Sequence, residues 1–143
     1  MPDNKHYSII KPTKNTPFYI DFEWWMKNDS NWRVYLVGYL CDLHKDSYKD
    51  LENNVLIDAI NPETAEVSQV DGIQNVLISH CAKQEGFISS NTTLVESVFR
   101  ILLANGNKPM TPEEIGDKIG RPAITILKTL TGPRVYKGIR PTK

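Results

Sequence analysis

The sequence predicts a mostly helical α+β protein, and three observations carry that expectation. The stretch from Thr92 to Gly132 holds three helix-length apolar patterns divided by glycine. Two Val- and Ile-rich runs flank Asn61-Pro62-Glu63-Thr64, as a β-hairpin requires. The aromatic run FYIDFEWWMKN sets Phe18, Phe22 and Trp25 four and three residues apart, a helical spacing. N-terminal helices plus a hairpin, followed by a trihelical unit, are the expected parts.

From the N-terminus, residues 1–17 are polar, carry Pro2, Pro12 and Pro17, and read as an extended arm. After the helical aromatic run, Asp29-Ser30-Asn31 breaks the pattern. The following NWRVYLVGYLCDLH is apolar nearly all round through Trp32, Val34, Tyr35, Leu36, Val37, Tyr39 and Leu40. It reads as a helix with Gly38 weakening its middle, in preference to a buried strand. A hairpin over roughly residues 55–70 comes next. Asp71 is placed to cap a helix running to about Gln84, with Ile73, Val76, Leu77 and His80 along one stripe and Gly86 closing it. Residues 87–91 are a short joint. The expected division is an arm over 1–17, a helical and hairpin domain over 18–90, and a C-terminal domain over 91–143.

The C-terminal domain has the clearest start and stop chemistry. Leu94, Val95, Val98, Phe99, Leu102 and Leu103 make a wide apolar stripe on its first helix. Thr111 stands at an N-cap, Pro112 at the first helical position, and Glu114 three residues after Thr111 completes a capping box. Gly120 ends that helix, Arg121-Pro122 restarts the chain, and Gly132-Pro133 stops the next one. Two short helices about a tight glycine turn form a helix-turn-helix.

The Thr-Pro-Glu-Glu-Ile run, the Gly-Arg-Pro turn and the I-x-x-L-x-x-L pattern after it resemble the winged-helix superfamily over the last third of the chain. The resemblance implies that residues 122–131 are a recognition helix facing double-stranded DNA. Only about ten residues follow Gly132, so the implied wing is a single strand or a stunted ribbon. On a helix from Pro122, Ala123, Ile126, Leu127 and Leu130 form the buried face. Thr125, Lys128 and Thr129 then point outward, and Arg121 lies at the N-terminal end, where recognition helices meet base edges. The roles that follow are a guanine contact for Arg121, phosphate or thymine-methyl contacts for the threonines, and phosphate neutralisation for Lys128. Arg134, Lys137 and Arg140 on the tail are expected to reach phosphate or the minor groove. A homodimer is expected, because one such unit buries little DNA surface.

Charge agrees with an anionic partner for the C-terminal part. Residues 1–90 hold 8 Lys/Arg against 13 Asp/Glu, a balance of −5, and residues 91–143 hold 9 against 4, a balance of +5. The competing expectation is a docking module, with the acidic, aromatic N-terminal half as the surface for a protein partner. No run is long enough to span a membrane, and no apolar leader core follows the N-terminal charges. Two cysteines without an extracellular spacing pattern fit a reducing, cytoplasmic setting.

Enzymatic chemistry is not expected. The chain has no glycine-rich phosphate loop, no nucleophile elbow and no histidine-rich metal motif, and no cofactor is implied. Trp24, Trp25 and Trp32 could stack on bases, but without interleaved basic residues they read as a packed aromatic cluster. Cys41, His44, His80 and Cys81 have the residue types of a zinc site. Adjacent residues on a continuous helix point ~100° apart, so His80 and Cys81 are not expected to close on one ion, and no metal is expected.

Overall fold

A computed structural model describes residues 11–45, 56–60, 63–89 and 92–142. In chain order the elements are β1 (Phe18–Ile20), α1 (Phe22–Asn28), α2 (Trp32–Val37), α3 (Asp42–Lys45), β2 (Leu56–Ile60), β3 (Val67–Asp71), α4 (Gly72–Ser79), a 3-10 turn (Cys81–Lys83), α5 (Leu94–Ala104), α6 (Pro112–Ile119), α7 (Ala123–Leu130) and β4 (Ile139–Pro141). The protein is thus helix-rich, with two small antiparallel strand pairs, β1 with β4 and β2 with β3. The expected hairpin is present as β2 and β3, with Leu56 opposite Asp71 and Ile60 opposite Val67. Residues 1–10 of the expected arm, and residues 90 and 91 of the expected joint, lie outside the described residues.

The helical reading of the first aromatic run fails at its start. Phe18 and Ile20 are fully buried while Tyr19 between them is half-buried, which is a strand period. Phe18–Ile20 pairs with β4, Tyr19 opposite Arg140. Its other edge meets the segment between α5 and α6. Phe18 and Met110 exchange both backbone hydrogen bonds, at 2.7 and 2.9 Å. The side-chain amide of Asn107 satisfies Ile20, accepting from its N–H at 2.8 Å and donating to its carbonyl at 2.9 Å. β1 thus pairs with β4 on one edge and meets Met110 by an isolated bridge on the other, inside the C-terminal unit. The helix begins only at Phe22, where the Asp21 carboxylate accepts the Trp24 N–H at 3.0 Å.

The second aromatic run is helical but shorter than expected. α2 stops at Val37, and α3 restarts four residues after Gly38. Trp25 joins the two halves of the chain. Its ring meets Phe99 of α5 edge-on at 5.6 Å and Trp32 at 6.4 Å. Trp25 and Trp32 are buried and in ring contact, while Trp24 is half-buried against the core with Arg140 over it. The buried apolar side chains form one continuous core that runs from Phe18 and Trp25 through Leu36 and Leu77 to Phe99, Ile115 and Ile126. That core crosses the boundary expected between residues 90 and 91.

The C-terminal helices follow their local chemistry closely. α5 buries Val98, Phe99, Leu102 and Leu103. Thr111 and Glu114 form the reciprocal capping box at the start of α6. Gly120 ends α6 with φ 72° and ψ 35°, the left-handed conformation that glycine enters without a Cβ clash. Gly116 is needed for another reason: a Cβ there would lie 2.5 Å from the Arg121 carbonyl oxygen. The two glycines set how closely α7 turns back on α6.

Candidate nucleic-acid interface and a cysteine-histidine cluster

α7 has one buried and one open face. Ile126 and Leu130 anchor it, Ala123 and Leu127 are half-buried, and Ile124, Thr125 and Lys128 are exposed. Arg121 is exposed at its N-terminal end and Arg134 just beyond its C-terminal end. Arg121, Lys128 and Arg134 enter no ion pair among the described residues. Thr129 is half-buried, and its hydroxyl donates to the Thr125 carbonyl at 3.0 Å. The surroundings are mixed in charge, since Glu113 and Asp117 of α6 share with Arg121 the hollow beside the turn.

On the tail, Lys137 and Arg140 each meet an acidic partner. Lys137 turns inward. Its Nζ donates to the Tyr39 hydroxyl at 2.6 Å and to the Glu96 carboxylate at 3.0 Å, and it lies over the Tyr39, Tyr35 and Phe99 rings. Arg140 donates to the Asp21 carboxylate at 3.2 Å and covers Trp24. The arrangement has a simple cause. β4 must pair with β1, which carries the Asp21 end of that strand and the α1 and α2 aromatics against the tail, and the two cations take the partners they meet there. Burial would raise the Glu96 carboxyl, but hydrogen bonds from Tyr39, Lys137 and Arg100 outweigh it and hold the group below its ordinary value. Burial pushes the Tyr39 hydroxyl far up, with Glu96 adding to the effect.

A second constellation lies away from α7. The ligand atoms of Cys41, His44, His80 and Cys81 all fall within 4.8 Å of one another. The Cys41 and Cys81 sulfurs are 3.4 Å apart. His44 Nδ1 lies 3.2 Å from the Cys41 sulfur and 3.6 Å from that of Cys81, and His80 Nδ1 lies 3.7 Å from Cys41. Burial pushes the Cys81 thiol above its ordinary value, backbone amides at Cys41 and Cys81 oppose that, and the neighbouring Cys41 thiol adds to it.

The expectation that these two pairs cannot converge is overturned. It assumed one helix running to about Gln84, whereas α4 ends at Ser79. His80 has φ −132° and ψ −63°, outside helical geometry, and Cys81 opens a separate 3-10 turn. The break swings Cys81 into the core, where it is 1% exposed, while His80 reaches back over Cys41 from the half-buried rim. Cys41 and His44 meet them from the start of α3, where His44 and Lys45 both donate their N–H groups to the Cys41 carbonyl. The Cys-x-x-His spacing was visible in the sequence. The helix break was not.

No known family model matches the chain, and neither a curated protein nor a solved structure matches it.

Proposed function

We propose that the protein binds duplex DNA through the open face of α7, as a homodimer that presents two such helices. The observation that supports this reading is a short helix with one face open to solvent and Arg121, Lys128 and Arg134 at its start, middle and end, none of them in an ion pair among the described residues. A glycine turn of fixed shape holds that helix against α6. Arg121 is positioned to read a base edge, Thr125 to contact phosphate or a thymine methyl, and Lys128 and Arg134 to neutralise phosphate. Lys137 and Arg140 belong to the scaffold in this reading, because their charges are already engaged by Glu96 and Asp21.

A second reading is favoured by one feature. Ile124 is 49% exposed at the centre of the same face, and Glu113 and Asp117 stand beside Arg121. A surface that mixes an apolar centre with both signs of charge suits a protein partner.

Duplex affinity measured across a salt series separates the two. DNA binding requires a steep fall of log affinity with log salt. Changing Lys128 and Arg134 together to Ala should weaken binding to every sequence and reduce the slope by about one unit for each phosphate no longer neutralised. Absence of measurable duplex binding by the wild-type chain at low salt would move the assignment to the docking module.

A further inference from the structure

We propose that Cys41, His44, His80 and Cys81 form a structural zinc site that ties α3 to the end of α4. Ideal tetrahedral zinc, with bonds of about 2.3 Å to sulfur and 2.0–2.1 Å to nitrogen, separates its ligand atoms by about 3.8 Å for sulfur–sulfur and 3.6 Å for sulfur–nitrogen. The corresponding distances here are 3.4 Å between the sulfurs and 3.2, 3.6 and 3.7 Å between sulfur and imidazole nitrogen. Four of the six ligand-atom distances are thus within a few tenths of an ångström of the tetrahedral values, and all six stay within 4.8 Å. The match involves two separate chain segments and no other close donor among the described residues.

The donor set also fits the burial. Two thiolates cancel the charge of a divalent ion, so the filled site is neutral and suits a cluster with one fully buried and three half-buried members. Sulfur and imidazole in tetrahedral array select zinc over the harder oxygen-seeking cations. Four protein ligands leave no open position, which makes the site structural and not hydrolytic. Both histidines offer Nδ1, leaving Nε2 to carry the ring proton. The Gln84 amide stands 3.5 Å from His80 Nε2. Its nitrogen also donates to the His80 carbonyl at 3.3 Å, which ties Gln84 to the backbone of that ligand.

A disulfide explains less of the geometry. The sulfurs would have to close from 3.4 Å to about 2.05 Å, and the two imidazoles would then surround a bond that needs neither of them. Zinc uses all four groups.

The test uses the whole chain, with any affinity tag removed, isolated under reducing conditions and analysed for metal. One equivalent of zinc is expected, and its removal by chelator should lower the melting temperature. The stripped, reduced chain titrated with cobalt should give the intense visible absorption of a tetrahedral cobalt-thiolate centre, saturating at one equivalent and abolished by added zinc. Cys81→Ser should weaken cobalt binding by more than the ~10- to 100-fold that loss of an outer-shell partner costs. A chain isolated without zinc that still gives the cobalt spectrum supports the site, and this readout needs no variant to fold. Failure of the reduced wild-type chain to bind cobalt, a weak octahedral spectrum, or a Cys41–Cys81 disulfide that yields no metal-binding chain on reduction would each overturn it.

Discussion

Lys137 closes on Glu96 at 3.0 Å, so that a cation from the basic tail is neutralised by the one acidic side chain of α5. Both side chains are about three-quarters buried, at 27% and 23% exposure, and the Tyr39 hydroxyl completes a triangle with them. The backbone of Lys137 is strained in reaching this place, with φ at 49°. Lys137→Ala removes one of the three donors on the Glu96 carboxylate, leaving Tyr39 and Arg100 in place, and should cost about 1 kcal/mol. Lys128→Ala, on the open face of α7, should stay within about 0.5 kcal/mol. Thermal or denaturant unfolding of the two variants checks the contrast, and equal stabilities would mean that Lys137 is a surface residue after all.

Stability should fall in acid, and Glu96 should contribute to the fall. Its carboxyl titrates below the ordinary value in the folded chain. The stabilisation is therefore fully present above the unfolded value, about 4.3 for glutamate, and is lost as pH drops through the lower folded value. Asp21 acts in the same direction: burial works against its ionisation, but the Trp24 N–H, the Tyr19 hydroxyl and Arg140 hold it down. Glu96→Gln should destabilise most near neutrality and progressively less toward acid. A stability difference that does not change with pH would remove this linkage.

The C-terminal unit should not fold by itself. A fragment covering residues 91–143 retains α5, α6 and α7 but lacks β1, so Met110, Asn107 and β4 lose the strand that joins them. It also exposes the Phe99 face that Trp25 covers. Circular dichroism and amide dispersion of the fragment should show an unfolded or fluctuating chain. In the full protein, Asn107→Ala should cost about 1–3 kcal/mol by orphaning the Ile20 backbone groups. A cooperatively folded fragment would support the separate C-terminal domain expected from sequence.

The two glycines of α6 should fail differently on substitution. Gly120→Ala keeps its space but not its conformation, since φ is 72° and nothing lies within 4 Å of the added Cβ; about 1 kcal/mol is expected. Gly116→Ala keeps its conformation but drives a methyl to 2.5 Å from the Arg121 carbonyl oxygen. It should cost about 1–3 kcal/mol by overpacking, and it should weaken duplex binding beyond that loss because it displaces the start of α7. Unaltered binding by folded Gly116→Ala protein would show that the α6–α7 angle does not matter to recognition.

Sequence by itself determined the elements whose signals are local. The capping box of Thr111 and Glu114, the left-handed stop at Gly120, the apolar stripe of α5 and the hairpin from β2 to β3 each depend on residues a few positions apart, and each is where the pattern puts it. Helix caps and turns are satisfied by near neighbours, so composition and spacing suffice to place them. Tertiary structure decided what depends on a distant partner. Phe18–Ile20 is a strand because Ile139–Pro141, Met110 and Asn107 offer it hydrogen bonds. Lys137 is partly buried and Arg140 is held at the surface because Glu96 and Asp21 lie across from them. Cys41 and Cys81 meet because α4 breaks before His80, far along the chain from the first pair and invisible in any helical spacing. A backbone group or a charge takes the best partner within reach, and reach is fixed only when the whole chain has packed.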